Sequence, residues 1–163
     1  MLANPNVIGT PGVLRRLATL VYDSFLIFAC CLVTGGIVVG GKIATMSATD
    51  IEFMRSHGQR AINGPIESAI LFTVCLMTVF YFYAYFWRKT GQTLAMQAWR
   101  TRLISTRGNA KPTWSQCIVR FVVGFFAFSL AGLGFLWIYT NSERKSWQDL
   151  ASGTELQLLE KKK

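Results

Sequence analysis

The residue with the clearest potential for chemistry is an aspartate inside a membrane-length apolar segment. Asp23 is the only charged residue between Leu17 and Gly41. A carboxylate near the middle of a membrane helix costs about 2.5 to 3.5 kcal/mol, so it needs a partner, a proton or contact with water. Asp23 is therefore a candidate site for binding a proton or a cation, or for a structural ion pair.

An arginine lies on the same helical face as this aspartate. Arg16 and Asp23 differ by about 20° around a helix and by about 10 Å along it. The guanidinium could approach the carboxylate, and Thr19 lies between them and could bridge the two. We expect this polar face to pack against other helices rather than against lipid.

Three apolar segments indicate an integral membrane protein. They are Leu17–Gly41, Ser68–Trp87 and Phe121–Thr140, each close to the roughly 20 residues that cross a bilayer. Of the 163 residues, 52% are hydrophobic and 15% are charged. Soluble domains have about a quarter of their residues charged. The predicted fold class is an all-α integral membrane protein with three hydrophobic helical segments and a small cytoplasmic amphipathic/β connector.

The third segment has two interpretations, because glycines interrupt it. It either crosses the membrane once or turns near residues 131–134 and returns as a re-entrant hairpin, which requires burial in protein. Residues 154–159 have the pattern of a strand, and a second predicted strand at 100–106 is the obvious partner. That pairing favours a cytoplasmic C-terminus.

The distribution of charge orients the segments. The chain carries a net charge of +9, and its loop at 88–111 has basic residues but no acidic ones. The loop between the first two segments is mixed. By the positive-inside rule, the basic loop and the N-terminus with Arg15 and Arg16 are cytoplasmic, in the inner or plasma membrane. A nucleic-acid partner is not expected, since no soluble recognition fold accompanies the basic residues.

The remaining segments have simpler assignments. Residues 1–12 are turn-rich and predicted to be a flexible N-terminus, and residues 13–160 form the membrane domain. Within the connector, residues 90–99 are predicted to form a short surface helix. Leu94, Met96 and Trp99 of that helix are expected to touch the membrane.

The residue types argue against an enzyme. The chain has a single histidine, His57, and four cysteines in or beside apolar segments, where they act as small hydrophobes. No nucleophile, base and orienting group occur together, and no metal-ligand spacing is present. We predict no catalytic residue, no metal site and no cofactor.

Three segments resemble the RDD family of membrane proteins, which is named for one arginine and two aspartates. They are RLATLVYD at 16–23, TGQTL at 90–94 with the strand that follows, and RKSWQDLASGT at 144–154. Together they extend over about residues 13–160. The chain departs from the family pattern at Gln92, at residues 95–96 and at residues 147–148.

The resemblance implies that Arg16, Asp23 and Asp149 are the signature residues. It also implies a role in transport, with cation/proton antiport for some members. Two hypotheses follow: a proton- or cation-coupled transporter that works as a homo-oligomer, or a membrane scaffold in which the three residues are structural. A cluster of all three requires a cytoplasmic C-terminus.

Overall fold

The computed structural model describes residues 7–108, 111–130, 133–140 and 143–160 of a mostly helical chain. The α-helices, in chain order, are α1 Val13–Ala44, α2 Ala48–His57, α3 Pro65–Lys89, α4 Leu94–Ala98, α5 Trp114–Ser129, α6 Leu133–Leu136 and α7 Trp147–Ser152. A short 3₁₀ turn follows α6 at Trp137–Tyr139, and the strands are β1 Val7–Gly9, β2 Thr101–Ser105 and β3 Thr154–Leu159.

Two helices are long and apolar enough to cross a membrane. They are α1 with 32 residues and α3 with 25, and they contain the first two predicted spans. α3 begins at Pro65, a residue suited to the first helical position because its missing N–H would have no partner there. Gly91, the second residue after α3, has a φ of 75°, which glycine readily adopts.

The chain forms two compact units. The first consists of residues 1–24 and 82–163, and the second of residues 25–81. In the second unit α1 and α3 pack against each other, where the Thr78 hydroxyl donates to that of Thr34 over 3.4 Å. Lys42 also forms an ion pair with Glu67.

A three-stranded antiparallel sheet lies in the first unit, with β3 in the centre. β2 pairs with β3 in a register that sets Leu103 opposite Leu156. Val7–Gly9 lies within the segment predicted to be a flexible N-terminus, but it pairs with the other edge of β3 as β1. The segment is ordered because the second edge of β3 has free backbone N–H and C=O groups, which can pair with an extended segment.

The third apolar segment is divided rather than continuous. α5 has 16 residues, begins with a capping box at Thr113 and ends at Ser129. Beyond it the chain returns along α5 in the opposite direction. Near the end of α5, a Cβ at Gly124 would lie 2.9 Å from Oε1 of Gln148. Near its start, the side chain of Gln116 donates to the backbone carbonyl of Gly153, later in the chain, over 3.0 Å. Of the turn predicted at 131–134, Ala131 and Gly132 lie outside the described residues.

α4 occupies part of the predicted surface helix at 90–99. Thr93 caps it by accepting a hydrogen bond from the Met96 N–H over 3.1 Å. Leu94 is exposed, as expected for membrane contact, but Met96 is buried in the protein. The expectation for Met96 was therefore wrong, because the short helix turns this side chain toward the interior.

Candidate functional site

The core of the site is a buried aspartate at the start of α7. Asp149 lies in the first turn of this helix, and its Oδ2 accepts hydrogen bonds from the backbone N–H of Ser146 at 3.0 Å and from the Ser146 hydroxyl at 2.8 Å. A carboxylate at this position accepts hydrogen bonds from backbone N–H groups at the helix N-terminus, which have no partner within the helix. The side chain is thereby fixed in orientation before any charged partner is considered.

Two arginines share the Asp149 carboxylate. Nη1 of Arg16 lies 2.5 Å from Oδ2, and Nη1 of Arg120 lies 2.6 Å from Oδ1. Both arginines are 4% exposed and Asp149 is 1% exposed. The ion pairs join α1, α5 and α7, and we call these three residues the arginine–aspartate cluster.

Neutral groups complete the surroundings of both guanidiniums. Nε of Arg16 donates to the carbonyl of Pro11 over 3.2 Å. Nη1 of Arg120 donates to the Thr154 hydroxyl over 2.8 Å, and its guanidinium carbon lies 5.6 Å from the centre of the Trp87 ring. The ring face and these oxygens help to stabilise the second positive charge, which the single carboxylate leaves unbalanced.

The two arginines keep Asp149 ionised. Burial alone would raise the pKa of this carboxyl, but Arg120 and Arg16 outweigh burial and lower the pKa from 3.8 to about 2. At neutral pH the cluster therefore holds two positive charges and one negative charge. A group of this kind fixes helices together and does not exchange protons near pH 7.

This shift predicts how stability depends on pH. Since the pKa is lower in the folded state, the stability that ionised Asp149 contributes is complete above about pH 5 and is lost as the pH falls toward about 2. Unfolding of the wild type and of Asp149→Asn across this range should show a difference in stability that stays constant from about pH 5 upward. A change in that difference near neutral pH would contradict the assignment.

Asp23 lies apart from the arginine–aspartate cluster. It is 1% exposed, and its Oδ2 accepts a hydrogen bond from the Thr93 hydroxyl over 2.6 Å. Its Oδ1 is buried and has no hydrogen-bond partner among the described residues. Tyr83 is close enough to interact with Asp23 electrostatically. One carboxylate oxygen is thus fixed by the Thr93 hydroxyl, and the backbone N–H of Ala95 in the same connector also interacts with the carboxyl group.

The structure therefore groups the predicted site residues differently from the sequence expectation. Arg16 and Asp149 are brought together, but Arg16 makes no contact with Asp23 among the described interactions. Thr19 does not bridge them, because its hydroxyl donates to the backbone carbonyl of Arg15 over 2.8 Å. The result is a fixed ion-pair cluster and a separate carboxyl site.

Sequence reasoning missed Arg120 and Thr93. Arg120 directly precedes the apolar segment predicted to begin at Phe121, so it lies outside both that segment and the basic loop at 88–111. The available signal was Gln116 one turn earlier, since the two residues form a polar stripe on an otherwise apolar helix. For Thr93 no comparable signal exists, because its contact is with a residue 70 positions earlier.

Within the described residues, no group of three or more histidine, cysteine, aspartate or glutamate side chains is placed to hold a metal ion. No curated protein and no solved structure matches the chain. The sequence model of the RDD family matches residues 10–153, which include Arg16, Asp23 and Asp149. The resemblance drawn from the three motifs is thus confirmed, and the chain belongs to the RDD family.

Proposed function

We propose that this protein is a non-enzymatic, multi-pass protein of the inner or plasma membrane that couples transport to a proton or cation at Asp23. The observation that carries the proposal is the asymmetric environment of this carboxylate. Thr93 fixes Oδ2, whereas the buried Oδ1 has no partner among the described residues. Ionisable residues of this kind within membrane helices commonly mark ion pathways and proton relays.

The separation of Asp23 from the arginines supports this role. A carboxylate locked between two guanidiniums, as in Asp149, stays ionised and cannot release and rebind a proton near neutral pH. Asp23 has a hydroxyl partner instead, and a hydroxyl can accompany either the charged or the neutral carboxyl. In this proposal Asp23 exchanges the proton or cation, whereas Asp149 and its two arginines have a structural role.

The proposed topology places the N-terminus in the cytoplasm, with α1 and α3 crossing the membrane and α5 re-entering from the cytoplasmic side. The charge of the 88–111 loop supports that orientation. The return of the chain along α5 supports a re-entrant segment, since irregular backbone at membrane depth must be buried in protein. Two spanning helices do not enclose a pathway, so the transporter would be a homo-oligomer.

Flux in proteoliposomes tests the proposal. Wild type should dissipate an imposed pH or cation gradient, and Asp23→Asn should reduce this flux to that of empty vesicles, because asparagine keeps the shape but cannot exchange a proton. Glu160→Gln, which removes an exposed carboxylate, is the matched control and should behave as the wild type. Equal flux through the wild type and Asp23→Asn would refute the role of Asp23.

A scaffold or accessory subunit is the second candidate, and the arginine–aspartate cluster favours it. Buried ion pairs that join three helices can specify how the helices dock. In that case the wild type would give no flux, and Asp23→Asn would lower the amount of assembled protein in the membrane. Flux that depends on Asp23 in correctly assembled protein would exclude this alternative.

A further inference from the structure

We infer that the first unit binds the headgroups of anionic phospholipids through a basic surface where α3 ends and α5 begins. This surface, here called the basic collar, consists of Arg88, Lys89 and Trp114. All three residues lie in the first compact unit. The inference does not depend on whether the protein transports an ion.

The collar side chains are held in place by neighbouring groups. The guanidinium carbon of Arg88 lies 4.5 Å from the centre of the Trp114 ring. Nζ of Lys89 lies 2.7 Å from the hydroxyl of Tyr85, one turn earlier. Because the protein already orders these cations, less conformational entropy is lost when a ligand binds.

Arg88 keeps its hydrogen-bonding capacity. The cation–π contact with Trp114 does not use the N–H donors of the guanidinium in hydrogen bonds. Within the part of the chain that the structure describes, Arg88 forms no hydrogen bond and no ion pair with a protein acceptor. Planar guanidinium donors match two oxygens of a phosphate at once. A phosphate group is therefore the ligand that fits best.

The surrounding charge favours an anionic lipid over a zwitterionic one. Among the acidic residues of the first unit, Asp23 and Asp149 are buried and Glu143 is paired with Lys145, whereas Glu155 and Glu160 belong to β3 and the residue after it rather than to α3 or α5. None of the ion pairs between described residues involves the collar. A zwitterionic headgroup would bring its own cation into this excess of positive charge, whereas an anionic headgroup relieves the excess.

The position of the collar points to a lipid rather than to a free anion. Arg88 and Lys89 are the last two residues of α3, a helix long enough to span a membrane. The Trp114 ring that lies against Arg88 is 45% exposed. Tryptophan with adjacent basic residues is typical of the headgroup level.

Native mass spectrometry of the full chain in detergent, with phosphatidylglycerol or phosphatidylcholine added, tests the inference. Wild type should bind phosphatidylglycerol in preference to phosphatidylcholine. The variant Arg88→Gln/Lys89→Gln should weaken phosphatidylglycerol binding by about fivefold for each charge removed. Arg55→Gln/Arg60→Gln, which removes two exposed basic residues from the second unit, is the matched control and should bind as the wild type does.

Three results would overturn the inference: equal binding of both lipids by the wild type, unchanged binding by the collar variant, or displacement of the lipid by inorganic phosphate or a short oligonucleotide at equal concentration. If the collar variant does not fold, the salt dependence of lipid binding by the wild type still tests the inference. Its preference for phosphatidylglycerol should fall as salt is raised, since exposed charges are screened. A preference that persists in high salt would exclude the collar as its source.

Discussion

Replacement of Asp149 by asparagine is expected to destabilise the folded protein by roughly 3 to 5 kcal/mol. The substitution keeps the shape of the side chain and removes the only negative charge in the arginine–aspartate cluster. Arg16 and Arg120 would then be buried with no counter-charge among the residues of the cluster. The loss of one partner from a buried ion pair is costly because the other charge remains away from water.

Denaturant unfolding in a mild detergent measures this effect. Glu160→Gln provides the control, since it removes a carboxylate that is exposed. The double variant Asp149→Asn/Arg120→Met should be less destabilised than the sum of the two single variants, because it removes one of the unpaired cations as well. The expected coupling is about 0.5 to 3 kcal/mol. Strict additivity would contradict the shared carboxylate.

An alanine at Gly134 is expected to destabilise the protein by about 1 to 3 kcal/mol through overpacking. A Cβ at this position would lie 2.4 Å from Cβ of Ala127 on α5 and 3.1 Å from the ring of Trp147. These distances are too short for carbon atoms in contact, so α5 and α6 would have to separate. The absence of a side chain at Gly134 is what permits the chain to return closely along α5.

A second substitution on the facing helix distinguishes overpacking from a change in helix propensity. Ala127→Gly removes the methyl group that the new side chain would meet, so Ala127→Gly/Gly134→Ala should recover part of the lost stability. Gly36→Ala is the control, because a Cβ at that position would meet no atom within 4 Å. Wild-type stability in Gly134→Ala would show that the close approach of α5 and α6 does not exist.

The spanning helices were predictable from sequence because their signal is local. Leu17–Gly41 and Ser68–Trp87 lie within α1 and α3, since a continuous apolar run of that length is helical wherever a bilayer must be crossed. The strand pairing of residues 100–106 with 154–159 could also be anticipated from their extended patterns. β1 could not, because Val7–Gly9 becomes a strand only when it meets the edge of β3.

The composition of the site was less predictable, because it depends on side-chain direction and on distant contacts. In a helix the Cα–Cβ bonds point toward the N-terminus. The side chain of Arg16 therefore leans toward Pro11 and away from Asp23, which is seven residues further along the helix. A shared helical face was not sufficient for a contact, given a separation of about 10 Å along the axis.

The sequence by itself predicted the two helices long enough to span a membrane, because composition and apolar run length are properties of the linear chain. Its resemblance to the RDD family, which the family match confirms, directed attention to Arg16, Asp23 and Asp149. Only the tertiary structure decided which charges are paired. Arg16 joins Asp149 across 133 residues because the chain returns along α5, and that return also adds Arg120 to the cluster. Asp23 is left to Thr93, since the connector, and not an arginine, packs against its carboxylate.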